Sequence, residues 1–270
     1  MDHVGRRVVA RDVTRSFVTT GRSAVHALGP VDLSIGDDEF LCVVGPSGCG
    51  KSTLLKIIAG LLAPSTGEIA VEVSGDHRIP IAMVFQDYGI YPWKTVRANV
   101  ELGLRLSRRP AAERREIADD WLARLGLTDF ADVYPSALSG GMRQRVSIAR
   151  ALAIDPEVLL MDEPFAALDA QLREVLQDEL LAIWQAKRRT VVFVTHSLEE
   201  ALLLGDRVVV MSARPGRVIA DITVPFERPR ASSIRTDPLF AKLRGELWSS
   251  LHSEVVAQFD AQVSAGKDQR

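Results

Sequence analysis

The chain is short of cysteine: its 270 residues hold two, Cys42 and Cys49. They are too few and too close in sequence for a disulfide framework, so a reducing compartment is expected. Long hydrophobic runs are missing as well. No stretch approaches the roughly 18 apolar residues of a membrane-crossing helix, so any membrane role is expected to run through partner proteins. The opening MDHVGRRVVARDV carries no apolar core of the kind a secretion signal needs. Charge of one sign is absent too. With 33 Lys and Arg against 35 Asp and Glu, a net charge of -2 and a pI near 6.2, the chain lacks the basic excess of a general nucleic-acid binder. No nucleic-acid partner is expected. Internal repeats and low-complexity tracts do not occur. What remains, 47% hydrophobic and 25% charged, suffices for one large α/β domain with a subdomain or short tail.

Patterning gives the order of elements. RRVVARDVTRSFV and HALGPVDLSI alternate like strands on a half-exposed sheet. Short apolar runs at Glu39–Val44, Ile79–Phe85, Val158–Met161, Val191–Thr195 and Val208–Met211 read as buried strands, with a last one near Val218–Val224. Strands alternating with helices suggest a largely parallel sheet covered on both faces. Leu54, Leu55, Ile58, Leu61 and Leu62 predict a helix after the third strand. From about Asp87 to Asp155 strand signals fade, and Ile117, Trp121, Leu122 and Leu125 fall at helical spacing before Gly126, a C-cap glycine. A helical insert is expected there. The charges from Arg108 to Glu116 fit a basic patch or a solvated helix face. After a Pro/Arg-rich linker to Arg230, Leu239, Leu243, Leu247, Leu251 and Val255 recur every fourth residue, predicting an amphipathic helix that packs back on the domain.

Gly45-Pro46-Ser47-Gly48-Cys49-Gly50-Lys51-Ser52 fits the pattern GxxxxGK[ST] between a strand and a helix. Glycines let successive backbone N–H groups turn inward around phosphate oxygens, and the following helix points its positive end at the same anion. Lys51 is placed to reach the β- and γ-phosphates, the Ser52 hydroxyl to ligate Mg²⁺, and Thr53 to give a further donor. Cys49, inside this loop, is expected to be a small filler and not a nucleophile. Val158–Met161 then ends in Asp162 and Glu163. A buried strand opens its carboxyl end at the ligand crevice of such sheets. Asp162 there is placed to hold Mg²⁺, and Glu163, expected on the opposite side, to polarise the attacking water.

Leu138-Ser139-Gly140-Gly141-Met142-Arg143-Gln144-Arg145 lies between these two motifs. Ser139, Gly140 and Gly141 open a helix, with Met142, Val146, Ala149 and Leu152 along one side, and offer N–H groups and a hydroxyl to an anion. This segment resembles the signature of the ABC transporter ATPases. The resemblance runs from about Val8 to Val224 and implies an α/β P-loop NTPase core with a mainly parallel sheet. An N-terminal antiparallel β subdomain and an inserted helical subdomain at about 87–155 would complete an ATP-binding domain over residues 1–230, with 231–270 as linker and amphipathic helix. It implies ATP and Mg²⁺ as ligands and a head-to-tail homodimer, or pairing with an equivalent subunit, in which Ser139 caps the γ-phosphate held by the partner copy.

The same resemblance assigns further residues. Gln86 matches the glutamine that touches Mg²⁺ or water. Ala167-Leu168-Asp169 matches the loop that crosses to the other subunit, and His196 the histidine that contacts the γ-phosphate. For His196 a plain structural role at a strand end is the alternative, and Ser197-Leu-Glu-Glu200 predicts a capping box just behind it. Phe17 stands where the family stacks an aromatic, more often tyrosine, on adenine; an ordinary core position is its alternative. Met142 stands where glutamine is commoner.

Tyr91-Pro92-Trp93-Lys94-Thr95-Val96 resembles the Pro-Trp element of nitrate, sulfonate and taurine importers, and Ser212-Ala-Arg-Pro-Gly-Arg-Val looks like that group too. Tyr91 and Trp93 fit a docking loop for a membrane subunit, an anchor for the helical insert, or both. The resemblance implies transmembrane permease subunits, indirectly a solute-binding protein, and a peripheral position on the cytoplasmic face of the inner membrane. Two rivals differ: non-transport ABC ATPases of DNA repair or ribosomes carry long coiled coils or paired cassettes, and P-loop kinases have no use for Leu138–Arg145.

Overall fold

A computed structural model describes residues 5–18, 24–74, 78–166, 168–230 and 232–267. Its elements begin with β1 (Arg6–Phe17), β2 (Val25–Gly36), β3 (Phe40–Val44), α1 (Lys51–Ile58) and β4 (Thr66–Val71). There follow β5 (Ile81–Val84), α2 (Val96–Leu106), α3 (Ala111–Arg124), α4 (Gly140–Ala153), β6 (Val158–Asp162) and α5 (Ala170–Ala186). Last come β7 (Thr190–Val194), α6 (Leu198–Leu204), β8 (Arg207–Met211), β9 (Val218–Thr223) and α7 (Pro238–Lys267). The chain divides into two compact units, Met1–Glu72 with Val192–Arg270, and Val73–Val191. Among the described residues no helix is long and apolar enough to cross a membrane.

In the first unit β1 pairs antiparallel with β2 and with β4. Val31, Leu33 and Ile35 alternate inward from β2, as the sequence predicts. β4 carries no such alternation and escaped the sequence reading. It joins through backbone pairing to β1, and Gly67 allows the approach: a Cβ there would stand 2.2 Å from the Asp12 carbonyl oxygen. β3, buried at all five positions, lies parallel to β8 with Leu41 opposite Arg207 and Val44 opposite Val210. β9 returns antiparallel to β8. Helix α1 stops at Ile58, so the predicted Leu61 and Leu62 fall outside it, and Leu61 is exposed.

Two further expectations need correction in this unit. On α7 only Leu243 and Leu247 of the predicted stripe are buried; Phe240 joins them, while Leu239 and Val255 are exposed. A helix turns about 100° per residue, so a strict period of four advances about 40° each step and leaves the buried face. The helix does pack back, against α6. The Pro/Arg-rich segment before it is no loose linker. The Arg230 side chain is 1% exposed and donates to the carbonyls of Leu202, Leu203, Gly205, Val224 and Phe226. Arg228 donates to Leu204 O and to Asp206. Those of Leu202, Leu203, Leu204 and Gly205 are carbonyls at the C-terminal end of α6, which a helix leaves unpaired, and a cation there also meets the negative end of the helix dipole. Burial, with help from Arg228, pushes the Arg230 pKa down to about 10.

The second unit holds β5 and β6, parallel, with Ile81 opposite Val158. Between them in sequence come α2, α3 and α4, the predicted insert, with no strand among its described residues. Gly126 takes φ +64 just past α3, as a C-cap glycine does. Helix α4 is buried nearly all round, with Gln144, Ser147, Ile148 and Ala151 joining the predicted Val146, Ala149 and Leu152; Met142 is half-buried. Neighbours α2 and α3 both pack on it.

Candidate functional site

In the first unit the Gly45–Thr53 loop connects β3 to α1. Side chains are excluded from it by close backbone: a Cβ on Gly50 would stand 2.7 Å from Ala27 O, and Gly50 adopts φ +107. Gly48 takes φ +74. Cys49 is buried, as a filler would be, and burial raises its thiol pKa against the pull of Lys51. Its N–H reaches Pro46 O at 3.4 Å. Lys51 is only 4% exposed and turns back on the loop, donating to the carbonyls of Gly45 at 2.8 Å and Pro46 at 2.9 Å. Ser47 and Gly48 face solvent, while Ser52 and Thr53 are half-buried at the start of α1.

His196 follows β7 and is exposed. The capping box behind it differs from the simple form. Ser197 Oγ accepts from Glu200 N–H at 3.2 Å, as predicted. Thr195 then mediates: its hydroxyl donates to the Glu200 carboxylate and accepts from Ser197 N–H. Thr195 is itself tied by its N–H to Val43 O at 3.2 Å, so the backbone before His196 is fixed from both sides. Phe17, at the end of β1, is 37% exposed with the Arg15 guanidinium 4.8 Å from its ring centroid. That exposure removes the core alternative for Phe17.

In the second unit Asp162 ends β6 and is 4% exposed. Glu163 does not continue the strand's alternation. It turns at φ +50, a left-handed conformation costing about 1–2 kcal/mol for a residue with a Cβ. The strand accordingly ends at Asp162. Gln86 is exposed just past β5 and donates from Nε2 to Glu163 at 3.4 Å, so the two residues expected near the reacting water meet.

Ser139 is the N-cap of α4, its hydroxyl accepting from Met142 N–H at 3.3 Å. Gly140 and Gly141 follow under Tyr88 and Leu168, which leave little room for a Cβ. Asp169 caps α5 in the same way, accepting from Leu172 N–H at 2.9 Å; Ala167 lies outside the described residues. Both helix starts are thus ordered by their own side chains.

One residue the sequence reading missed is Asn99, fully buried on α2. Its carboxamide accepts from Tyr91 N–H and donates to the carbonyls of Tyr91, Lys94 and Thr95. It fixes the turn that carries Trp93, which is 69% exposed and meets Tyr91 edge-on at 5.4 Å. Trp93 is therefore no anchor of the insert. An asparagine eight residues beyond a Tyr-Pro-Trp turn was the only signal, and alone it reads as an ordinary helix surface residue.

Comparison with known proteins gives the family. The ABC transporter family model matches residues 28–166. An ATP-binding protein of Brucella abortus is 51% identical over 246 residues, 89% of this chain and 93% of the relative. The taurine import ATP-binding protein of Rhizobium johnstonii is 49% identical over 239 residues, 85% of this chain and 90% of the relative. A dimeric ATP-binding cassette solved in a post-hydrolysis state with ADP and Pi matches with a TM-score of 0.74 at 35% identity, covering 82% of this chain and 100% of that one. The α/β P-loop NTPase fold of such cassettes is the fold of this protein. A glycine-rich loop, a serine-capped helix and a buried acid at a strand end follow one another along the matched residues, and the chain belongs to the ABC transporter family as one of its ATPases.

Proposed function

We propose that this ATPase powers import of a small solute through separate permease subunits, from a peripheral position on the cytoplasmic face of the membrane. A taurine importer among its relatives and the exposed Trp93 turn support a small-solute cargo of the taurine, sulfonate or nitrate kind. A solute-binding protein would deliver the cargo to the permease. Residues 1–230 form the motor domain, with the helical subdomain at about 87–155, and 231–270 the appended linker and helix.

Two copies associate, head to tail on this reading; a dimeric structural neighbour supports the pairing. The backbone N–H groups from Gly45 to Thr53 enclose the phosphates, Lys51 leaves its loop carbonyls to bind them, and Phe17 stacks on the adenine. Ser139, with Gly140 and Gly141, meets the γ-phosphate bound by the other copy, while Asp169 approaches across the pair. His196 contacts the γ-phosphate in its own chain. Glu163, aimed by its left-handed turn and held by Gln86, orients water for in-line attack. Ser52, Asp162 and Gln86 would each offer an oxygen donor, the hard ligand type that Mg²⁺ arriving on a nucleotide requires. Among the described residues no cluster of three His, Cys, Asp or Glu offers a separate cage. Bound there, Mg²⁺ would neutralise charge developing on the phosphate oxygens.

The observation that carries this reading is the acid pair, a buried Asp162 followed by a Glu163 turned out of the strand beside Gln86. Glu163→Gln should cut hydrolysis by about 10²–10⁴-fold while leaving ATP binding intact, and should trap an ATP-bound pair in size-exclusion chromatography. Wild-type turnover in this variant, or a monomer at saturating Mg-ATP, overturns it.

A further inference from the structure

The Ser212–Arg217 turn abuts the Gly45–Thr53 loop within the first unit. A Cβ on Gly216 would stand 1.9 Å from the Cys49 carbonyl oxygen, and one on Gly45 2.9 Å from that of Met211. Gly216 N–H donates to Ala27 O at 3.1 Å, and Gly29 N–H to Gly216 O at 3.0 Å. Inside the turn Ser212 Oγ lies 2.9 Å from Ala213 O and 3.1 Å from Pro215 O, and accepts from Arg217 N–H at 3.0 Å. This frame presents Arg214, whose Nε and Nη2 donate to Gly48 O at 3.2 and 3.0 Å. Helix α7 reaches the same frame: Glu254 accepts from Ala213 N–H at 2.8 Å.

The geometry has a direct effect on the loop. In a trans peptide a carbonyl and the following N–H point in opposite directions. A peptide flanked by a glycine at positive φ is one of the few that rotates easily. Two guanidinium donors outside the loop on Gly48 O therefore set the direction of Cys49 N–H, which faces inward to Pro46 O. An inward N–H is what a phosphate oxygen needs.

We infer that Arg214 is a positioning residue for the nucleotide, locking the Gly48–Cys49 peptide with its N–H into the cradle, and that Glu254 of α7 sets the turn that carries Arg214. The tail helix thereby influences nucleotide affinity. This rests on the phosphate-binding role proposed for Gly45–Thr53, which Lys51→Ala tests separately.

The experiment compares KM for ATP, kcat and Tm in the full-length chain. Arg214→Ala should raise KM roughly tenfold, the lower end of the scale for one charged hydrogen bond, with kcat at saturating ATP changed less than about twofold. Arg214→Lys keeps the charge without the fork and should recover part of the loss. Glu254→Ala should raise KM roughly twofold in the same direction. An unchanged KM in Arg214→Ala, or a fall in kcat alone, overturns the positioning role; an unchanged KM in Glu254→Ala overturns the link to α7. If Arg214→Ala does not fold, the ratio of KM between Arg214→Lys and wild type decides, and equality refutes. Wild-type KM in Lys51→Ala would instead remove the cradle reading itself.

Discussion

The Gly45–Thr53 loop and the segment from Val224 to Arg230 use one interaction, a cation on backbone carbonyls, to opposite ends. In the loop Lys51 holds Gly45 O and Pro46 O with a compact ammonium on a flexible stem. In the segment Arg230 spreads a rigid fork over carbonyls of α6, β9's end and its own turn, and Arg228 adds Asp206. An ammonium can rotate from one acceptor to another at little cost; a buried guanidinium with several fixed partners cannot. On the function proposed above, the first hold would be exchanged for phosphate and the second kept. Both are nearly buried, so burial alone does not tell a working cation from a structural one. The number and rigidity of its partners do.

The comparison can be broken at its weakest spacing. Gly216→Ala forces a methyl against the Cys49 backbone carbonyl at 1.9 Å, and should cost more than about 4 kcal/mol in urea unfolding and most of the ATPase activity. An unchanged unfolding midpoint would mean the loop is not braced by this turn. Arg230→Ala strips the α6 carbonyls and Asp206 of a buried partner, and about 3 kcal/mol of stability should go with it. Here KM for ATP should stay near wild type in whatever folds, because the hold is remote from the cradle; a large KM change would erase the distinction drawn above. The smallest effect concerns the two thiols, Cys49 in the loop and Cys42 on β3, which feels the charges of Arg228 and Arg230. Burial, reinforced by Glu200, pushes Cys42 well up, whereas Lys51 pulls back on the rise at Cys49. Native protein should thus react with a disulfide reagent near pH 8 faster at Cys49 than at Cys42, and far slower at both than after denaturation. Equal native rates would put the two sulfurs in equivalent surroundings.

Much of this was legible in the chain because the signals are local. Eight consecutive positions define the cradle, an apolar run ending in two acids defines β6 and its carboxylates, and Ser139 and Ser197 each announce a helix that starts at the next residue. What could not be read depends on partners distant in sequence. Arg228 and Arg230 look like solvated charges in a proline-rich stretch until the end of α6, some 25 residues earlier, supplies their acceptors. β4 has no pattern of its own and exists because β1 offers it a backbone edge. The stripe on α7 was misplaced because a period of four resembles 3.6 over one turn and diverges over five. Glu163 was expected to follow the pleat; only the backbone shows that it leaves it.

Asn99 bears on how Trp93 is met. One buried carboxamide, accepting from Tyr91 N–H and sharing its two N–H groups among three carbonyls, orders the turn beneath an indole that is itself largely in water. Ordering a loop and its side chains on association ordinarily costs about 0.5–1.5 kcal/mol for each immobilised side chain. With the turn already rigid, much of that entropy is lost during folding, and a surface that closes over the ring finds it preorganised.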